Sequence, residues 1–117
     1  MIQVQRIYEF ENKSSQENNS IRILVDRLWP RGISKEKVNI DLWAKDIAPS
    51  AELRKWFNHD ESKFIEFKEK YLEELNFNDY AINFKQEYKN RNIVLLYSAK
   101  DKVHNNAVVL KEWLERW

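Results

Sequence analysis

Two stretches of this chain concentrate the side chains able to do chemistry. Val25-Asp26-Arg27-Leu28-Trp29-Pro30-Arg31-Gly32 sets a carboxylate, two guanidiniums and an indole around the only glycine in the sequence. Ser98, Lys100, Asp101, His104 and Asn105 form a second polar group near the C-terminus, and Lys45, Ser50, Arg54 and His59 form a looser third. Arginine meets phosphate or carboxylate with a bidentate fork, and lysine adds a mobile point charge. Histidine changes charge near neutrality, which suits it to proton transfer. These residue types point to an anionic ligand carrying phosphate or carboxylate. The candidate binding residues are Asp26, Arg27, Arg31, Lys45, Arg54, Lys100, Asp101, His104 and Asn105. Candidates for acid/base work are His104, His59 and Asp26, and whether any reaction occurs is left open.

Each residue also has a structural reading. Asp26 and Arg27 are placed to form an ion pair. Trp29 and Trp56 suit packing, Trp56 because it sits at helical spacing from Leu53. Asp101 reads as a helix cap, and His104 as a first-turn residue facing solvent. An imidazolium at position 59 suits a helix C-terminus on dipole grounds alone. Lys45 reads equally as a plain surface lysine. A Ser98–His104–Asp26 triad can be drawn, but spacing gives it no geometric support. No glycine-rich phosphate loop and no Gly-x-Ser-x-Gly elbow is present.

Composition narrows the field. A chain of 117 residues with 43% hydrophobic content and sixteen aromatics is sized for one domain, residues 1–117. The net charge of +1 argues against a strongly basic nucleic-acid binder. Without cysteine there is no disulfide, thiol nucleophile or thiolate metal site. Two distant histidines give no dedicated zinc site. No metal or cofactor is expected. No apolar run approaches membrane-spanning length and no signal-peptide pattern opens the chain, so a cytoplasmic protein is expected.

The elements that must position these groups follow from periodicity. Ile2 and Val4 alternate with Gln3 and Gln5, predicting a strand near 2–8. Residues 11–20 are polar and read as a solvated loop. A strand near 21–28 contains the unbroken apolar run Ile23-Leu24-Val25, which calls for cover on both faces. Pro30 and Gly32 then shape a tight exit. Residues 34–38 allow one helical turn, and 40–46 a short third strand, with a helix nearly as consistent there. Helices are predicted near 50–57, 62–75, 79–89 and 102–116, the last capped by Asp101 and striped by Val103, Ala107, Leu110, Leu114 and Trp117. From Asp60 to Glu74 six acids and three bases read as a solvated helix face. Ile93 to Tyr97, within a strand near 92–97, has the pattern of a central strand buried on both faces. Together these predict an α/β layer fold with a small, mostly parallel sheet. Ligands in such sheets bind beyond the carboxyl ends of the strands, where Asp26–Gly32 and Ser98–Asn105 would meet.

The block at 25–32 resembles the signature of the YeaO-like family, a bacterial domain-of-unknown-function family. The resemblance continues through Leu42-Trp43-Ala44-Lys45, Ala48 to Phe57, His59-Asp60, Phe67 to Tyr71, Glu74-Leu75, Leu95 to Asp101 and His104 to Ala107, nearly the whole chain in order. It implies a small cytoplasmic α/β protein and brings no activity. A loose label of transcriptional regulator on some relatives finds no winged-helix pattern or basic recognition helix here. Asn58 stands where glycine is usual, and Phe64 where tryptophan is usual. Distant branches carry cysteines that this chain lacks, so no thiol chemistry transfers. The family pattern includes the gathered residues, which implies that they form one site.

Three functions follow in order of preference. The first is a binder of, or enzyme on, a small anionic metabolite. The second is a protein-interaction module or homodimer, using Trp113 and Trp117 of the last helix. The third is a nucleic-acid partner, through Arg27, Arg31, Lys35, Lys37 and Arg54, which the charge balance disfavours.

Overall fold

The structure is a computed structural model that describes residues 1–9 and 20–116, with no account of the Lys37 side chain. The expected loop at 11–20 lies outside the described residues except for Ser20, as does Trp117.

Four strands, β1 (Ile2–Arg6), β2 (Ile21–Leu24), β3 (Leu42–Trp43) and β4 (Ile93–Tyr97), pair in the order β1-β4-β2-β3. Every pairing is parallel, so the sheet is wholly parallel. Val4 and Ile23 flank Leu95 in register, making β4 central as its apolar run predicts. Alternation along β4 splits its side chains between two cores. Ile93, Leu95 and Tyr97 join Ile23 and Val25 on one face. Val94 and Leu96 join Leu24 and Ile7 on the other.

The first face is covered by helices. In chain order the helices are α1 (Lys35–Val38), α2 (Ala51–Phe57), α3 (Phe64–Asn76), α4 (Asp79–Glu87) and α5 (Asn106–Glu115). The last four carry the larger core, in which Phe57 stacks on Phe67 at 4.2 Å and Phe67 leads to Tyr71. Tyr71 is fully buried and its hydroxyl donates to the Ile47 carbonyl at 2.7 Å. The second face is closed by the chain between β2 and β3. There Val38 of α1, Ile33, Ile40 and an edge-on Trp29–Trp43 pair at 5.3 Å do the covering. The Trp29 indole donates to Ile33 O, and Trp43 to Asp26 O. Both rings thus pack, and they also lock the exit of β2.

Several boundaries differ from the sequence reading. β1 stops at Arg6, because residues Ile7–Glu9 coil into a 3-10 turn. β2 ends at Leu24 rather than 28, although Val25 N–H still donates to Leu96 O at 3.0 Å. β3 keeps two residues, since Lys45–Ile47 turn into a 3-10 helix, so Lys45 is not on a strand. The last helix begins at Asn106, not 102. Its cap is Asn105, whose side chain accepts from Val108 N–H while donating to Asp101 O. Asp101 instead caps the preceding turn, accepting from the N–H groups of Val103 and His104 at 2.9 Å each. Val103 therefore leaves the helical stripe and is exposed, while Ala107, Leu110 and Leu114 keep it. Trp113 is buried, with its indole donating to Asn76 Oδ1 and Lys85 over its ring. It contributes no spare aromatic surface to that helix.

Candidate functional site

Because all four strands point the same way, their carboxyl ends share one edge of the sheet, and a cavity of about 760 Å³ opens there. Each wall is a segment leaving a strand. β1 contributes Arg6 and, beyond it, Tyr8. The exit of β2 contributes Asp26 to Arg31, and the exit of β4 contributes Ser98 to Lys100. Past β3 come Ala48 and Pro49, then Arg54 and Phe57 of α2 and His59 beyond it. Phe67 of α3 and Asn105–Asn106 at the start of α5 complete the lining.

Asp26 is the fixed point of this cavity. Its Oδ2 accepts from Ser98 N–H at 2.9 Å and from the Ser98 hydroxyl at 2.6 Å. Its Oδ1 accepts from Asn106 Nδ2 at 3.1 Å, and the same amide donates to Val25 O. Burial pushes the Asp26 carboxyl above the usual carboxylate range. The Ser98 and Asn106 hydrogen bonds and the nearby His59 pull the other way without cancelling that effect. Arg27 does not pair with Asp26. Its Nε donates to Pro49 O at 3.2 Å and its Nη2 to Ala48 O at 3.3 Å, which ties the β2 exit to the start of α2.

Among the described residues, five cations (Arg6, Arg27, Arg31, Arg54 and Lys100) and one carboxylate line this cavity, in a protein whose whole net charge is +1. Arg6 is committed: it donates to Ala99 O at 2.9 Å and lies over the Tyr8 ring. The Tyr8 hydroxyl in turn donates to Arg31 O at 2.7 Å, pinning the loop that carries Arg31. Gly32, at φ +80, lets that loop turn back. Among the described residues, no carboxylate pairs with Arg31, Arg54 or Lys100. Arg54 goes further, since its Nε is shielded from solvent and has no hydrogen-bond acceptor among the described residues. An orphaned buried donor is costly in a native fold.

Of the candidate binding and acid/base residues, Asp26, Arg27, Arg31, Arg54, His59, Lys100 and Asn105 share this cavity, together with Ser98. His59 reaches it because Asn58 and His59 both adopt left-handed backbone, at φ 46 and 56. Asn58 thus takes a backbone conformation that favours glycine and that asparagine tolerates. Three of those candidates do not line the cavity, nor does Ser50, which caps α2 and donates to Glu74. Lys45 is exposed, its ammonium over the Trp43 ring at 5.4 Å, because the 3-10 turn swings it to the other side. Asp101 and His104 belong to a neighbouring turn. There His104 Nδ1 lies 2.9 Å from Asp101 Oδ2, its Nε2 lies 3.8 Å from Glu61, and its ring meets Phe64 edge-on at 5.0 Å. The Asp101 carboxyl is held down at about 2, chiefly by the His104 and Val103 backbone N–H groups. The drawn triad is therefore not assembled, since Ser98 and Asp26 meet without His104. The sequence reading missed Arg6, Tyr8 and Asn106. Arg6 had a usable signal, because it ends a parallel strand as Asp26 nearly does.

No solved structure matches this chain. Curated relatives do. Uncharacterized protein YeaO of Escherichia coli (strain K12) is 41% identical over 114 residues, covering 97% of this chain and 96% of its own. Uncharacterized protein Rv3073c of Mycobacterium tuberculosis (strain ATCC 25618 / H37Rv) is 36% identical over 114 residues, covering 97% and 92%. Uncharacterized protein Mb3100c of Mycobacterium bovis matches to the same extent. The resemblance to YeaO-like proteins thus extends over the cavity-forming segments, and with a family model matching residues 1–117 the chain belongs to DUF488-N3i, the inactive DUF488-N3 subclade.

Proposed function

We propose that this protein binds a small anionic ligand, carrying phosphate or carboxylate, in the cavity at the carboxyl ends of its strands, and that it binds without turning the ligand over. The observation that carries the reading is the Arg54 Nε, a buried donor with no acceptor among the described residues, in a cavity that those residues line with five cations and one carboxylate. A bound oxyanion supplies that acceptor and offsets the charge. Binding without turnover is supported by the family's description as an inactive subclade. The cytoplasm, where phosphorylated metabolites are made, is the expected location. No helix among the described residues is long and apolar enough to cross a membrane.

The test is calorimetric titration of the protein with inorganic phosphate at low ionic strength, for wild type and Arg54→Gln. Losing a charge-assisted hydrogen bond of about 2 kcal/mol weakens binding by more than tenfold. Absence of any heat of binding, or equal affinity in the variant, removes the proposal.

A further inference from the structure

The cavity is much larger than an oxyanion needs. At about 760 Å³ it falls within the range of pockets that enclose drug-sized ligands, whereas a phosphate ion has five heavy atoms. Its walls are also not uniformly cationic. The inner part presents Phe57, Phe67 and Pro49 beside Arg54, and these apolar side chains are buried. The mouth presents Tyr8 and Leu28, which are 43% and 59% exposed. Leu28 projects from a segment whose neighbours on both sides are held by Asp26, Arg27 and Trp29 contacts, so its exposure is imposed by an anchored backbone. An exposed leucine and a tyrosine whose ring carries Arg6 over it thus add apolar surface to the wall of a cavity that also holds cations, and we call this surface its lip.

Asp26 adds a third feature. Its Oδ1 accepts one hydrogen bond, from Asn106, leaving lone-pair capacity on the cavity side. A carboxylate in this position repels a bare anion and welcomes a hydroxyl or amino donor. The site thus offers cations for an oxyanion, one acceptor for a donor, and an apolar lip for a flat ring.

We infer that the ligand is an organic phosphate with a ring-bearing, hydrogen-bonding body, of the nucleoside monophosphate class. The phosphate sits against Arg54 with Arg31 and Lys100, and the base lies against Tyr8 and Leu28. This inference rests on the anion-binding reading given above and specifies its ligand.

Calorimetry on the full chain at low ionic strength separates the two. The probes are inorganic phosphate, ribose 5-phosphate, the 5′-monophosphates of adenosine, guanosine, cytidine and uridine, and the four uncharged nucleosides. Stacking of a base on side chains is worth on the order of tenfold in affinity or more. At least one monophosphate is therefore expected to bind at least about tenfold tighter than phosphate and ribose 5-phosphate, and tighter than its own nucleoside. Leu28→Ser, at a position too exposed to support the core, is expected to shrink the ratio of monophosphate to phosphate affinity. Monophosphates that bind no tighter than inorganic phosphate overturn the nucleotide inference and leave anion binding standing. Silence from every phosphate-bearing probe overturns both. An unchanged ratio in Leu28→Ser overturns the placement of the base at the lip.

Discussion

The Ser98 hydroxyl donates to Asp26 Oδ2 at 2.6 Å, joining residues 72 positions apart. The bond ties the exit of β2 to the exit of β4, and Asn106 extends the tie to the start of α5. Three elements that build the cavity therefore converge on one carboxylate. Its geometry leaves no place for an amide. With the Asn oxygen toward Ser98, the new NH2 faces the Asn106 NH2, and the reverse orientation faces two Ser98 donors. Asp26→Asn is expected to lower stability by about 1–3 kcal/mol, read from the urea midpoint with an unchanged slope. The pH dependence has a definite sign. Burial raises the folded-state pKa above the unfolded value of about 3.9, so the contribution of Asp26 is full below that value and declines as pH rises through the folded pKa. The gap between wild type and Asp26→Asn is thus largest below about pH 4 and narrows as pH rises through the folded pKa. A gap that widens with pH would show that hydrogen bonding to the carboxylate outweighs its burial.

Tyr71 closes the larger core beneath this cavity. Its hydroxyl is the donor recorded for Ile47 O in a fully buried setting, at 2.7 Å. Tyr71→Phe leaves that carbonyl without this donor and is expected to cost about 1–3 kcal/mol in chemical denaturation, with the fold retained by circular dichroism. Burial, with the Asp26 and Glu74 charges, holds the phenol well above the usual tyrosine range. Absorbance titration should accordingly show one tyrosine ionising only when the protein unfolds. A Tyr71→Phe variant with the same set of alkaline transitions as wild type would contradict this.

The architecture was legible because the strand signals were simple. Ile93–Tyr97 is apolar on both faces, and a parallel sheet is what buries such a run twice. Once the strands are parallel, the rule that ligands gather at carboxyl ends brought Asp26, Arg31 and Lys100 into one cavity. The errors came from chain turns that periodicity does not encode. Lys45 alternates correctly for a strand, yet a 3-10 turn carries it to Trp43. Asp101 has cap chemistry, but so does Asn105, and Asn105 wins because its side chain is buried and satisfied from both ends. That choice starts α5 four residues later than expected and removes His104 from the cavity. Arg6 escaped notice despite ending a parallel strand, because the alternation was read on to residue 8 and hid that end inside the strand.

The turn at Asp101 makes a separate prediction. Its carboxyl, at about 2 in the folded protein, lies below the unfolded value of about 3.9. A depressed carboxyl stabilises above the unfolded pKa and loses that contribution as pH falls through the folded one. The window is therefore roughly pH 4 down to 2. Asp101→Asn keeps one acceptor for the Val103 and His104 N–H groups but loses the charge beside the His104 ring. In acid denaturation the wild-type advantage over Asp101→Asn is expected to vanish between these limits. Since the carboxyl is at the surface, phosphate affinity measured at pH 7 is expected to be the same in both proteins. A large loss of affinity would bring Asp101 and His104 back into the binding site.

Arg54 separates binding from folding. In the free protein its Nε is buried with no acceptor among the described residues, a state that costs about 1–3 kcal/mol. Methionine fills a similar volume against Phe57 without a donor to satisfy. Arg54→Met is therefore expected to be more stable than wild type without ligand, by about 1 kcal/mol. It is also expected to lose the increase in melting temperature that phosphate gives the wild type, because only a ligand that binds the folded state raises it. Lys45→Met is the matched control: it removes a cation outside the cavity and leaves the phosphate-induced shift intact. The two curves per variant, with and without phosphate, decide the matter. An Arg54→Met protein that melts lower than wild type and still responds to phosphate would mean that the orphaned donor is a packing compromise of the fold, and that the cations around it were gathered for some other purpose.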